Sequence, residues 1–378
     1  MHDMENSEHQ DLAHKVSDLQ LNVFFGPEIW PLQNQGGISR YYGELIKGMS
    51  ALNRNTYVFI PENRNQFVNM FPDRCKILND RTKSSELIQV ASRIINKEKN
   101  SIYHATYFGD SNLLSWKNAG FKTFVTVYDL ISEKFPERKS KLKFRTDLKK
   151  KAIKNADHLI CISHTTKRDL IDYYKVPESK ISVVYLGSTL GLLHQTVSNP
   201  FRDIPYLLFV GKRNSYKNFI KLVNIFASSK LLKSNFVLIA FGGGEFSRSE
   251  KELISSLDLE NRIIQISGDD SMLSQLYLEA KALIYPSLYE GFGLPPLEAM
   301  AHGCPVFASS AGSIPEICQN AAIYFDPKNQ EQMTNIIEEA IFDTRLLTEK
   351  VLIGSVVSKS FTWEKTVDET MKAYGEIQ

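Results

Sequence analysis

Short, almost wholly apolar runs alternate with amphipathic stretches along nearly the whole chain, and this alternation most constrains the fold. "LNVFFG", "TYVFIP", "SIYHAT", "KTFVTVYD", "HLICIS" and "ISVVYLG" punctuate the first half. "YLLFVG", "NFVLIAFGG", "RIIQIS", "ALIYPS", "PVFASS" and "AAIYFDP" punctuate the second. Runs apolar at nearly every position suit parallel strands covered on both faces. The segments between them carry a helical period. "GGISRYYGELIKGM" places Ile38, Tyr41, Tyr42, Leu45, Ile46 and Met49 on one face. The alternation pauses at residues 187–205, "GSTLGLLHQTVSNPFRDIP", and then restarts. Two βα arrays joined by an irregular segment predict an α/β chain of two facing, doubly wound, Rossmann-like domains with a cleft between them. The length of 378 residues agrees, since one hydrophobic core rarely serves so many.

Composition removes several classes of function. The net charge is +2, so no global field argues for nucleic acid. Cys75, Cys161, Cys304 and Cys318 are scattered and form no C-x-x-C pair, so buried thiols are expected rather than a disulfide frame or a zinc site. No apolar run approaches the roughly 18 residues of a membrane span. Residues 1–20 are polar and acidic without a signal-peptide core, which gives the expectation of a cytoplasmic protein with a loose leader.

Ligands of open α/β sheets bind beyond the carboxyl ends of the strands, so the loops after strands carry the functional reading. Four are unusual: "GPEIWPLQNQGGISRYY", "GKRNSYKNF", "GGGEF" and "YEGFGLPPLE". Gly36 and Gly37 open a helix and suit an anion. Lys212, Arg213 and Lys217 add positive charge. Gly291 and Gly293 precede a helix that starts near Leu294, with prolines tolerated in its first turn. Together these loops suit a diphosphate, although no G-x-G-x-x-G fingerprint and no Walker sequence occurs. Glu290 and Glu298 flank the Gly-Phe-Gly turn. Spacing alone leaves two readings open. Glu290 caps the helix and Glu298 is a solvated surface residue, or both face a ligand and accept hydrogen bonds from vicinal hydroxyls.

"YPSLYEGFGLPPLEAMAHGCPVFASSAGSIPEI" resembles the signature of the family 4 retaining glycosyltransferases, which have the GT-B fold. "GGISRY", "ADHLICISHTTKRDL", "KISVVYLG", "LLFVGKRNSYKNF", "AAIYFDP" and "FTWEKTVDETMKAY" resemble further elements of that family, over about residues 21–375. "TVYDLISEKFPE" and the Tyr-Lys-Asn-Phe of the lysine loop are similar to bacterial O-antigen and capsule mannosyltransferases. The resemblance implies a leader at 1–20, an acceptor-side domain at 21–195 and a nucleotide-sugar domain at 196–360. A C-terminal helix at 361–378 is expected to cross back to the first domain.

The resemblance also assigns roles. Glu298 is expected at the nucleotide ribose and Glu290 at the transferred sugar near its C3 hydroxyl. Gly291, Phe292, Gly293 and Leu294 are expected to line the donor, and Gly37 to approach its β-phosphate. Lys217 matches the family's phosphate-binding lysine. The family's arginine in that loop is replaced by Lys212, with Arg213 one position on, so either is a candidate. The family's usual His-Asp after the fourth strand reads Tyr128-Asp129. Asp129 is thus a catalytic candidate or a simple cap. His104, which ends a strand on the same side, is open between a structural and a functional role.

The activity so implied is a retaining, metal-independent transfer of a hexose, with mannose from GDP-mannose as first expectation. The acceptor is a saccharide or a polyprenyl-linked saccharide of surface polysaccharide synthesis. Neither metal nor other cofactor is expected: no Asp-x-Asp triplet occurs, and Asp258-Leu259-Glu260 is its nearest imitation. Preorganised N–H groups and lysines stabilise the departing diphosphate, and front-side attack is favoured over a covalent carboxylate intermediate. A UDP-sugar donor and a non-catalytic GT-B subunit stand as alternatives. Residues 138–154, "RKSKLKFRTDLKKKAIK", hold nine basic residues and one acid. They read either as a solvated helix packed through Phe144, Leu148 and Ala152 or as a patch for an anionic membrane surface.

Overall fold

The computed structural model describes residues 21–33, 36–52, 55–60, 71–79, 84–95, 100–109, 112–136, 140–188, 200–201, 203–213 and 215–376, with the side chains of 79, 84–85, 140–145 and 215 outside the description. The leader at 1–20 and most of the expected linker at 187–205 therefore lie outside the described residues. The chain divides into two compact units. Unit 1 runs to Gly187 and takes back the stretch from Trp363; unit 2 is Ser188–Thr362.

Unit 1 is built on seven parallel strands: β1 (Asn22–Phe25), β2 (Asn55–Ile60), β3 (Lys76–Asn79), β4 (Ser101–Ala105), β5 (Lys122–Val127), β6 (His158–Cys161) and β7 (Ile181–Val183). Their order is β3-β2-β1-β4-β5-β6-β7, so the winding reverses between β1 and β4. The strand over "KILN" is an addition to the sequence reading; it lies at the sheet edge, where a long apolar run is not required. The helices are α1 (Gly37–Ala51), α2 (Ser84–Ile94), α3 (Leu113–Asn118), α4 (Ile131–Lys134), α5 (Ser140–Asn155), α6 (His164–Tyr174) and, from the far end of the chain, the helix Trp363–Gly375.

Unit 2 repeats the design with six parallel strands: β8 (Tyr206–Val210), β9 (Val237–Phe241), β10 (Ile263–Ile266), β11 (Ala282–Tyr285), β12 (Val306–Ser309) and β13 (Ala322–Phe325). All six were legible as apolar runs. Their order is β10-β9-β8-β11-β12-β13, with the reversal between β8 and β11. The helices are α7 (Phe219–Ser228), α8 (Lys230–Asn235), α9 (Arg248–Ser256), α10 (Asp270–Glu279), α11 (Leu294–Ala301), α12 (Ile314–Cys318), α13 (Gln330–Ala340) and α14 (Thr344–Ser358), and the unit 1 helix Trp363–Gly375 becomes α15. Leu207, Phe209, Leu238, Ile284 and Phe307 of the sheet pack with Phe219, Val223 and Phe226 of α7 and with Met333 and Ile337 of α13 in one core. Each such side chain contributes roughly 1.5–3 kcal/mol on leaving water.

Helix α15 docks on unit 1 through polar as well as apolar contacts. Val367 lies so close to Gly48 of α1 that a Cβ there would fall 2.5 Å from it. Thr366 donates to the Tyr185 carbonyl at 2.8 Å, and the Tyr374 hydroxyl meets His104 Nδ1 at 2.7 Å. His104 Nε2 lies 2.9 Å from the Thr126 hydroxyl and 3.3 Å from that of Tyr42. Full burial pushes the His104 imidazole down to about 3, so it is neutral and serves as a core polar link. Among the described residues no helix is long and apolar enough to cross a membrane. All four cysteines are buried free thiols, and burial pushes Cys75 up to about 11.

Candidate active site

In unit 2 the winding reversal places the loops after β8 and β11 side by side, where open sheets bind ligands. Tyr216, Lys217 and Asn218 join these loops. The Leu288 N–H donates to the Tyr216 carbonyl at 2.7 Å. Asn218 stands in a left-handed conformation at φ 62°, and its amide donates to the Pro286 and Pro327 carbonyls at 3.1 and 2.9 Å. Lys217, in the short 3₁₀ turn Ser215–Lys217, reaches Glu290 Oε1 at 2.7 Å and the Tyr285 hydroxyl at 2.9 Å. Both members of the ion pair are largely shielded, with side chains 12% and 9% exposed. Burial, and then the Glu290 carboxylate beside it, holds the Tyr285 phenol well above its ordinary range. The sequence reading gave Lys217 to a phosphate and Glu290 to a sugar; the fold places the two against each other.

The Gly-Phe-Gly turn is held from beneath by the loop after β12. The Ser313 hydroxyl donates to the Glu290 and Phe292 carbonyls at 3.0 and 2.6 Å. Gly312 has φ 65°, and a Cβ there would lie 2.8 Å from both the N and O of Glu290. Only glycine fits, because the conformation is left-handed and the neighbour is backbone. Neither residue was singled out in the sequence beyond its place in the signature stretch. Phe292 is buried with its ring edge-on to Phe361 at 5.9 Å, and Gly291 is buried beside it.

Gly293 is the N-cap of α11 at φ 117°, a conformation that favours glycine. Pro295 and Pro296 in the first turn have no N–H, and the Leu297 N–H bonds the Gly293 carbonyl. The donors left at this helix start are therefore those of Gly293 and half-buried Leu294, fewer than at an ordinary N-terminus. Glu298, one turn on, is buried and accepts from the Tyr277 hydroxyl at 3.1 Å. This corrects the reading of Glu298 as a solvated surface residue.

The two candidate cations after β8 separate sharply. Arg213 donates Nε to Glu250 at 2.8 Å, Nη1 to the Gly242 carbonyl at 2.8 Å and Nη2 to the Gly244 and Glu245 carbonyls at 2.9 and 2.7 Å. Its guanidinium lies over Phe246 at 4.9 Å, and its side chain is only 4% exposed. Arg213 thus staples the triple-glycine loop, whose glycines have φ of 81°, 75° and 76°. Burial opposes the Glu250 charge, but bonds from Ser247 and Arg213 outweigh it and hold the carboxyl below the usual range. Four of its five N–H donors are taken by Glu250 and the loop carbonyls, so in this structure Arg213 is tied to the glycine loop. Lys212 is exposed at the strand end.

In unit 1 the Gly36-Gly37 start of α1 is partly occupied. The Ser39 N–H is taken by Gln33 Oε1 at 3.2 Å and that of Arg40 by the Gly36 carbonyl at 3.0 Å. Gly37 and Ile38 remain as the donors. Asp129 accepts from the Ile131 N–H at 3.0 Å, as a local cap does, and its carbonyl accepts from Lys149 at 3.1 Å. Tyr128 is buried with its ring edge against Tyr41 at 5.9 Å, and among the described residues its hydroxyl has no hydrogen-bond partner. Lys149 corrects the picture of a uniformly basic outer helix. It is buried and pairs with Glu133 at 2.9 Å, while Lys150, Lys151 and Lys154 of α5 are exposed. The expected packing residue Ala152 is buried and Leu148 half-buried; Phe144 lies outside the described side chains.

The family model for glycosyltransferase family 4 matches residues 35–190, and that for group 1 glycosyl transferases matches 194–350. Between them they take in most of both units. The chain belongs to the family 4, group 1 glycosyltransferases. It is 29% identical over 220 residues to the O-antigen chain mannosyltransferase RfbU of Salmonella typhimurium, covering 57% of this chain and 59% of that one. It is 24% identical over 293 residues to the O-antigen chain mannosyltransferase B of Escherichia coli, covering 73% and 74%. The aligned stretch thus spans about three fifths of the length of RfbU. Among solved structures, sucrose-phosphate synthase from Thermosynechococcus elongatus superposes with a TM-score of 0.74 at 19% identity, over 95% of this chain and 99% of that one. Anabaena Alr3699/HepE in complex with UDP and glucose gives 0.73 at 17% identity, over 94% and 99%. Both share the GT-B architecture of two parallel-sheet Rossmann-like units.

Proposed function

We propose that this glycosyltransferase is a retaining, metal-independent hexosyltransferase that takes its sugar from a nucleotide donor held by unit 2. The observation that carries the reading is the Lys217–Glu290 pair at the β8/β11 reversal, shielded from water and backed by Tyr285. A cation and a carboxylate in contact there suit a ligand that brings an anion and hydroxyls together. A nucleotide sugar does so: its diphosphate meets Lys217, Lys212 and the Gly293 and Leu294 N–H groups, and a sugar hydroxyl meets Glu290. Glu298 takes the ribose hydroxyls, with Tyr277 fixing its carboxylate.

The reaction then runs by front-side transfer. The bond from the anomeric carbon to the diphosphate oxygen breaks as the acceptor oxygen bonds that carbon on the same face. The acceptor proton passes to the departing diphosphate, whose developing charge is met by the lysines and N–H groups. The mannosyltransferase relatives favour GDP-mannose as donor and a saccharide or lipid-linked saccharide of surface polysaccharide as acceptor. The UDP in the Alr3699/HepE complex supports a UDP-sugar as the second reading. The site of action is the cytoplasm, with exposed Lys150, Lys151 and Lys154 able to rest on an anionic membrane surface.

Titration calorimetry with GDP and UDP tests the donor assignment. One nucleotide binds to the wild type, and Glu298→Ala weakens it by about tenfold, because the ribose contact is made in ground and transition states alike. Unchanged affinity in Glu298→Ala would remove the ribose role.

A further inference from the structure

Strand β11 reads Ala-Leu-Ile-Tyr, and its last residue carries an oxygen that packing does not require. Tyr285 is 1% exposed, and its register partner in β12 is Ala308. A phenylalanine would fill the same space. The hydroxyl instead ends 2.9 Å from the ammonium of Lys217, which comes from the 3₁₀ turn after β8, 68 residues earlier in the chain. Burial, and then the Glu290 carboxylate beside it, hold the phenol well above its ordinary range. It therefore keeps its proton and meets the ammonium with an oxygen lone pair. The ammonium rests on two oxygens, Tyr285 Oη and, at 2.7 Å, Glu290 Oε1. Its Nζ also lies 5.0 Å from the centre of the Tyr285 ring and 5.6 Å from that of Tyr216. An ammonium has three N–H donors. One hydrogen bond leaves it free to turn about the Cε–Nζ bond. Two bonds fix that rotation, and with it the direction of the third N–H. Among the described residues no third oxygen takes that donor.

We propose that Tyr285 is a positioning residue: its hydroxyl locks the rotation of the Lys217 ammonium, so that the third N–H meets the diphosphate oxygen on which charge develops as the sugar leaves. The assignment rests on the nucleotide-sugar reading and deepens it by naming the group that aims the lysine. Glu290 alone would neutralise Lys217 without aiming it. When the phenol oxygen is removed, the charge of Lys217 stays beside the ligand and ground-state binding survives. What is lost is the alignment of one charged hydrogen bond that strengthens in the transition state, and that loss falls on turnover. A hydroxyl that served only the stability of β11 would leave the turnover of the folded variant unchanged.

The test compares the wild type, Tyr285→Phe, Lys217→Met and the double variant, each below its melting temperature. The probes are GDP-mannose and UDP-glucose. Release of nucleoside diphosphate, with water taking the sugar, gives kcat, and calorimetry gives the affinity for each probe. Tyr285→Phe lowers kcat about tenfold, the scale of one misplaced hydrogen bond, and leaves affinity within about twofold of wild type. In the Lys217→Met background the same change has no further effect on kcat, because the hydroxyl acts through the lysine. A kcat for Tyr285→Phe within about twofold of wild type overturns the assignment. So does a loss confined to affinity, or an equal loss of kcat in the Lys217→Met background. Failure of the wild type to bind or turn over either nucleotide sugar overturns the underlying donor reading, and this assignment with it.

Discussion

Replacing Lys217 by methionine isolates the central ion pair. Its ammonium lies 2.7 Å from Glu290 Oε1 and 2.9 Å from the Tyr285 hydroxyl, with both charged side chains almost out of water. At that separation and an effective dielectric of about 20 the attraction is roughly 6 kcal/mol, partly offset by desolvation of both ions. Removing one partner strands the other charge, a change that typically costs about 3–5 kcal/mol. We expect about 3 kcal/mol for Lys217→Met and about 1 kcal/mol for Glu290→Gln, whose amide oxygen still accepts from the lysine. The double variant should resemble Glu290→Gln rather than the sum, because no stranded carboxylate remains. Urea unfolding followed by far-UV circular dichroism measures this. With a slope near 2 kcal/mol/M, the single variant shifts the unit 2 midpoint by roughly 1.5 M. The three tryptophans, Trp30, Trp116 and Trp363, all lie in unit 1, so tryptophan fluorescence reports the other unit separately. A Lys217→Met midpoint within 0.2 M of wild type, or additive effects in the double variant, would refute a shielded pair.

Three further expectations follow from particular side chains. His104 is held neutral at about 3, below its unfolded value of about 6.5, so its contribution to stability is present above that value and is lost as pH falls toward 3. Between pH 7.5 and 5 the tryptophan-reported stability of unit 1 should drop by about 2 kcal/mol more in the wild type than in His104→Gln, and equal losses would contradict the buried neutral ring. Arg213→Ala should destabilise unit 2 by about 2 kcal/mol through the unstapled Gly242–Glu245 carbonyls, whereas Lys212→Ala should leave stability intact and weaken nucleoside diphosphate binding about fivefold in a salt-sensitive way. The reverse pattern in calorimetry would return Arg213 to the phosphate. Joint replacement of Lys150, Lys151 and Lys154 by glutamine should lower binding to phosphatidylserine vesicles with an effect that fades in high salt; equal vesicle binding would leave α5 a solvated helix.

The architecture was legible because parallel strands buried on both faces must be apolar throughout, and twelve of the thirteen strands announced themselves in that way. The exception, β3, is short and lies at the edge, and its "KILN" carries too little pattern. The signature loop was legible as a glycine-rich turn between strand and helix, together with Glu290, Glu298 and Lys217. What sequence could not give was which charges meet. Arg213 and Lys212 are neighbours in the chain and differ in role only because Glu250 and three carbonyls converge on one of them. Lys149 sits in a basic run and is distinguished by Glu133 and Ser132 of α4 and the Asp129 carbonyl just before it, which converge on its ammonium. Tyr285 read only as part of a buried strand, because the lysine that its hydroxyl meets lies 68 residues away. Gly312 and Ser313 act on a backbone that no local pattern links to them.

The most direct test of the central claim is the stereochemical course of transfer in the absence of free metal. The purified chain is incubated with GDP-mannose, or with UDP-glucose, in excess chelator, and the anomeric coupling of the product is read by NMR. A nucleotide sugar of α configuration should give an α-linked product, with turnover unchanged by the chelator and reduced by at least about a hundredfold in Glu290→Gln. A β-linked product, activity that appears only on adding magnesium or manganese, or wild-type turnover in Glu290→Gln would contradict it.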